Sequence, residues 1–248
     1  MQQAPNTTVG STRSRDWLAV LFALVLPTFV TLAYFVWAEG LSEGLQQSIY
    51  LGAKIIQFGF PIFWVCLIQR HRPRPWPISS RGTLLGLVFG LLVLVAALAL
   101  YYGWLKSAEF FVAGLVPIQE KIVDLGLDAA WKFAALGLFY SLCHSLLEEY
   151  YWRWFVFDQL KRLVAVWAAI VISALGFMAH HVLVIGAFFG TASPATWLLS
   201  AAVGIGGGFW AWLYHRTDSL LGPWIGHLLV DAAIFLIGFD IAQSLFNN

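Results

Sequence analysis

Apolar runs long enough to cross a lipid bilayer recur along almost the whole chain, and few folds survive that constraint. They cover approximately residues 17–38, 49–68, 83–104, 129–147, 164–188, 196–214 and 220–246. A hydrocarbon core about 30 Å thick takes roughly 20 apolar residues in a helix, and a helix satisfies its own backbone polar groups where water is absent. The expected fold class is therefore all-α, a polytopic transmembrane helix bundle of about seven or eight spanning helices. With 60% hydrophobic and only 11% charged residues, the chain has too little charged surface for a soluble globule. Residues 110–118 are apolar but too short to span as a helix, which leaves a re-entrant or interfacial piece as an eighth element.

The organisation reads as a cytoplasmic tail over residues 1–15 followed by a single membrane domain over 16–248. No repeat or low-complexity block divides it. The first run is longer than a signal-peptide core and has no small-residue cleavage site, so it is expected to remain as an uncleaved span. Arg13, Arg15, Arg70, Arg72, Arg74, Arg81, Arg153, Lys161, Arg162 and Arg216 fall after or before alternate spans. The opposite side gathers Glu39, Glu43, Glu109, Glu120, Asp124 and Asp128, with Lys54, Lys106, Lys121 and Lys132 near them. Retention of positive loops then predicts a cytoplasmic N-terminus. The stretch 70–81, rich in arginine and proline, is expected to meet anionic headgroups of the bilayer. A formal charge of +1 gives no basic surplus for nucleic acid. Cys66 and Cys143 sit in separate apolar stretches and imply no disulfide framework.

Ionisable residues inside spans are costly and mark function. They gather in three places: SLCHSLLEEYYWR over 141–153, GFMAHH over 176–181 and GHLLVD over 226–231. Glu149 and Arg153 are four apart, the favourable order for an ion pair on one helical face. Glu148 is about 100° further round, which leaves it as the carboxylate free for chemistry. His144 lies one turn before Glu148 and reads as a packed or hydrogen-bonded histidine. If the helix carrying Glu148 ends near Leu160 and the next begins near Val164, Glu148 lies about 18 Å and His181 about 26 Å from the same turn. Asp231 lies about 17 Å beyond Leu220, so one polar pocket can hold all of them. His227 and Asp231, also four apart, suit a metal as well as a hydrogen-bonded pair. Gly204, Gly206, Gly207 and Gly208 read as a packing feature.

At these residues the chain resembles the CPBP family of intramembrane proteases, the CAAX-protease and bacteriocin-processing (Abi) family. Its first motif, two glutamates followed after three residues by arginine, stands as Glu148, Glu149 and Arg153. Its second, phenylalanine with histidine four later, stands as Phe177 and His181. Its third stands as His227 and Asp231. The likeness covers about residues 129–246. Two features depart from it: alanine precedes His180, not His181, and Asp231 stands where several prenyl-protein proteases of the family have asparagine. The resemblance implies an intramembrane endopeptidase that acts on a membrane-associated protein or peptide, possessing Glu148 as the base for a water, His181 as its helper, and His227 with Asp231 at the oxyanion. Glu149, Arg153, Phe177, His180 and His144 are supporting residues in this reading. No cofactor is required; a zinc-bound water held by His181, His227 and Glu148 or Asp231 gives the same products. A prokaryotic cell membrane is the expected location.

Two other classes fit part of the pattern. A proton-coupled transporter or channel would use the same residues as a relay, although the two halves of the chain share no symmetry. A non-catalytic immunity or assembly partner would use them only to join helices.

Overall fold

The protein was analysed as a computed structural model, which describes residues 7–38, 40–73, 76–108, 110–127 and 129–246. The all-helical bundle expected from the apolar runs is the observed architecture. Helix α1 (Thr7–Leu32) continues through a π-helical turn at Ala33–Trp37, α2 (Glu43–Phe63) through Trp64–Ile68, and α3 (Ser80–Leu100) through Tyr101–Leu105. The short α4 (Val112–Asp124) follows. Helix α5 is one unbroken rod from Ala130–Phe139 to Asp158–Leu160, with π-helical stretches at Tyr140–His144 and Tyr150–Phe157 on either side of Ser145–Glu149. Then come α6 (Val166–Phe189), α7 (Pro194–Thr217) and α8 (Leu221–Ala242).

Six of these are long and apolar enough to cross a membrane among the described residues: Arg13–Trp37, Gly44–Ile68, Ser80–Leu105, Val166–Phe189, Pro194–Thr217 and Leu221–Leu245. Each coincides with an apolar run in the sequence. Outward-facing side chains such as Leu84, Leu92, Trp167 and Leu198 are more than half exposed, as lipid-facing residues should be. Helix α5 falls outside this set because it carries Glu148, Glu149, Arg153 and Asp158. It forms the centre instead: Tyr151, Trp152, Phe155, Val156 and Phe157 are at most 1% exposed. The apolar piece over 110–118 becomes part of α4, too short to span and packed on α6 through Phe111 against Phe189.

Side-chain contacts fix which helix ends lie together. At one end Gln69 donates to Gln159 at 2.9 Å and to Asp16 at 3.4 Å, while Arg13 donates to the Leu163 carbonyl. At the other, Asp240 accepts from Tyr101 at 2.7 Å and pairs with Lys106 at 2.6 Å. The long helices therefore alternate in direction.

Several residues differ from the loop assignment. Arg153 is buried in α5, so it does not add to a basic loop. Lys54 is half-buried inside α2 and not in an outer loop, because the helix begins at Glu43. Residues 7–15 of the expected tail extend α1. Residues 1–6 and Glu39, Arg74, Glu109 and Asp128 lie outside the described residues.

Glycine sets the closest helix contact. Gly82, Gly86 and Gly90 of α3 lie against Gly222 and Gly226 of α8; a Cβ on Gly86 would meet the Gly222 carbonyl oxygen at 1.9 Å, and one on Gly222 the Gly82 oxygen at 2.3 Å. Backbones touch directly there, as small residues four apart permit. This contact seats α8, which carries His227, against α3.

Candidate active site

The site is built where α5, α6 and α8 meet in the interior. Ser145–Glu149 is a short α-helical interval between two π-helical stretches, a local rewinding often found where a helix aims functional side chains. It turns two adjacent carboxylates, Glu148 and Glu149, inward; they are 3% and 0% exposed. Buried carboxylates need partners, and the two find them differently.

Glu149 has a close partner at each oxygen. Its Oε1 accepts from His227 Nδ1 at 2.7 Å, and its Oε2 forms an ion pair with Arg153 Nε at 3.1 Å without hydrogen-bond geometry. The pairing with Arg153 is the one the spacing predicts. The bond to His227, between residues 78 apart in sequence, is the one the sequence does not reveal. Arg153 is itself locked: its Nη2 donates to the Gly207 carbonyl at 3.1 Å, and its guanidinium lies 4.8 Å from the Phe177 ring centre and 5.1 Å from that of Trp210. A Cβ on Gly207 would stand 2.9 Å from Phe177 and 3.4 Å from Arg153 Nη2, so this glycine admits the arginine.

Glu148 is held loosely. His180 Nε2 lies 3.5 Å from Oε1, while His227 Nε2 at 3.7 Å and His144 Nδ1 at 3.9 Å approach Oε2. All three exceed the usual 2.7–3.2 Å of an N–H···O hydrogen bond. A ring of histidines thus surrounds a carboxylate without saturating it.

The histidines are oriented by stacking as much as by hydrogen bonds. His180 lies parallel to Trp152, 5.7 Å between ring centres and 3° between planes. His227 stacks on Trp210 at 4.3 Å and 15°. Because its Nδ1 donates to Glu149, His227 presents Nε2 to Glu148 and, at 3.6 Å, to Asp231 Oδ1. His181 instead donates its Nδ1 proton to the Phe177 carbonyl at 2.8 Å, which leaves its Nε2 bare. The phenylalanine ring packs against His181 at 4.7 Å, His180 at 5.5 Å and His227 at 5.8 Å.

Every residue singled out from the sequence is therefore at this place: Glu148, Glu149, Arg153, His144, Phe177, His180, His181, His227 and Asp231. The contact with Glu148 belongs to His180, whereas the phenylalanine spacing selects His181. Trp152 and Trp210 support the histidines and are not distinguished in the sequence from the chain's other tryptophans. Across from α5, Tyr50 of α2 shares a side-chain hydrogen bond with Tyr140, and Phe58 meets His144 edge-on at 6.2 Å.

As these side chains stand, no group of three or more His, Cys, Asp or Glu among the described residues is arranged to hold a metal ion.

Comparison with known proteins places this geometry in context. Residues 130–233 match the family model described as type II CAAX prenyl endopeptidase Rce1-like. The match runs from the start of α5 to just beyond Asp231, and so contains all three charged clusters. No curated protein and no solved structure matches the chain.

Proposed function

We propose that the protein, whose residues 130–233 match the Rce1-like type II CAAX prenyl endopeptidase family model, is an intramembrane endopeptidase that cleaves a peptide bond near the end of a membrane-anchored, lipid-modified chain. The observation that carries this reading is the asymmetry of the two buried carboxylates. Glu149 is consumed by His227 and Arg153, while Glu148 has only loose histidine neighbours.

In the mechanism we infer, Glu148 takes a proton from a water as its oxygen attacks the scissile carbonyl. His180, the histidine nearest that carboxylate, orients the water. His227 is held by Glu149 so that Nε2 faces the reacting centre, where its N–H donates to the developing oxyanion. Fixed donors in a water-poor interior stabilise such charge effectively. The proton held by Glu148 then passes to the leaving amine. Arg153 acts indirectly, by fixing Glu149, and is a positioning residue. A prokaryotic cell membrane with the arginine-rich helix ends in the cytoplasm is the setting we propose.

The test is incubation of the purified protein with a prenylated CAAX peptide in detergent micelles, read by mass spectrometry. Release of the residues beyond the prenylated cysteine by the wild type, with no release by His180→Ala, is the expected result. Peptide left intact by well-folded wild type, with proton flux across vesicles reconstituted with it, would instead favour a relay through the same residues.

A further inference from the structure

One cation within the bundle has no part in this scheme. Lys54 lies inside the α2 span Gly44–Ile68 and is half-buried, while its neighbours Ile55 and Ile56 are 66% and 60% exposed on the lipid-facing side. Its ammonium sits 5.4 Å from the Tyr50 ring centre and 5.5 Å from that of Phe58, one helical turn to either side. Both rings touch α5, through Tyr140 and His144. Lys54 thus faces the Glu148 side of the site and lies within electrostatic reach of both Glu148 and His144. Depth agrees: Lys54 is fourteen residues before Ile68 and Glu148 twelve before Leu160, about 21 and 18 Å from helix ends that lie together.

A charge at this depth is costly without a partner. Among the described residues no carboxylate stands within 4.0 Å of Lys54 Nζ, and two aromatic faces attract the cation without neutralising it. An anion brought by the substrate completes the arrangement. Acidic side chains are rare in segments that enter hydrocarbon, but every peptide ends in a carboxylate. We propose that Lys54 is a specificity residue that binds the free C-terminal carboxylate of the substrate tail and thereby sets the distance between the chain end and the bond presented to Glu148. This inference rests on the endopeptidase reading above.

The experiment uses the full-length purified protein and two prenylated CAAX peptides that differ only at the C-terminus, one a free acid and one a carboxamide. Wild type should favour the acid at least about tenfold in kcat/KM, since a site built to pair a charge rejects the analogue lacking it. Lys54→Met, similar in length and uncharged, should bring the ratio close to one, chiefly through a raised KM for the acid. Lys54→Arg should retain much of the preference. Equal cleavage of both peptides by wild type, or an equal loss on both in Lys54→Met, would overturn the inference and leave the endopeptidase reading intact. If wild type cleaves neither, the endopeptidase reading fails, and thermal stabilisation of the Glu148→Gln protein decides the inference. Stabilisation by the acid alone, lost when Lys54→Met is added, supports carboxylate binding; equal effects of both peptides refute it.

Discussion

Replacing Gly86 by alanine should damage both stability and the site, although Gly86 touches no proposed catalytic group. Its Cβ would lie 1.9 Å from the Gly222 carbonyl oxygen, whereas Cβ atoms are essentially never found below 3.0 Å from another atom. Helices α3 and α8 must therefore part by at least about 1.1 Å, the difference between these two distances, since both atoms belong to or issue directly from backbone. Gly222 precedes His227 by five residues on the same helix. Any displacement of α8 is passed on to His227, whose 2.7 Å bond to Glu149 stands only about 0.5 Å short of the roughly 3.2 Å limit. Overpacking costs about 1–3 kcal/mol or more, partly offset by the roughly 1 kcal/mol that alanine gains over glycine within a helix. Gly52→Ala is the matched control: it lies in α2 with no atom within 4 Å of its would-be Cβ and keeps only the gain. Thermal unfolding in detergent should place Gly86→Ala about 2–8 °C below wild type and Gly52→Ala at or above it, with peptide cleavage reduced at least tenfold in the former alone. Gly86→Ala as stable and active as Gly52→Ala would refute the backbone contact and its coupling to His227.

Further predictions concern the site directly. His180→Ala should lower kcat by 100-fold or more, as loss of a group acting with the general base does, whereas His181→Ala should retain most activity; the reverse order, measured as kcat on one peptide, would restore His181 as the working histidine. Arg153→Met leaves Glu149 charged and without its arginine, and breaking such a buried pair costs about 3–5 kcal/mol; a thermal shift assay reads it, and an unchanged midpoint would contradict the pairing. Under the proposed mechanism cleavage survives a strong chelator. Activity lost on chelation and restored by zinc would move the mechanism to a metal-bound water.

The parts of this account that were legible in the sequence are those governed by local spacing. Six of the seven expected spans are long apolar helices, the run over 129–147 being the exception, and the helix carrying Glu148 ends at Leu160, as the basic turn at Lys161 and Arg162 implies. Glu149 and Arg153 meet because four residues is one turn. What the sequence withheld depends on how helices pack. The Glu149–His227 bond joins α5 to α8 across 78 positions of sequence, and nothing near either residue signals it. His180 and His181 lie three and four residues after Phe177, and both spacings return to the same side of a helix. Stacking on Trp152 turns His180 to Glu148, while the backbone carbonyl of Phe177 takes His181. The apolar run begins at Ile49, which sets Lys54 near the outer loop, whereas α2 starts at Glu43, eleven residues before it.

The central claim is that Glu148, and not its neighbour Glu149, is the base. The most direct measurement compares single-turnover cleavage of a prenylated CAAX peptide by Glu148→Gln and Glu149→Gln, each checked for folding by thermal unfolding. Glu148→Gln should keep the wild-type unfolding midpoint and lose all detectable cleavage, while Glu149→Gln should unfold earlier and retain measurable chemistry. Cleavage by folded Glu148→Gln at a rate near that of wild type would contradict the account.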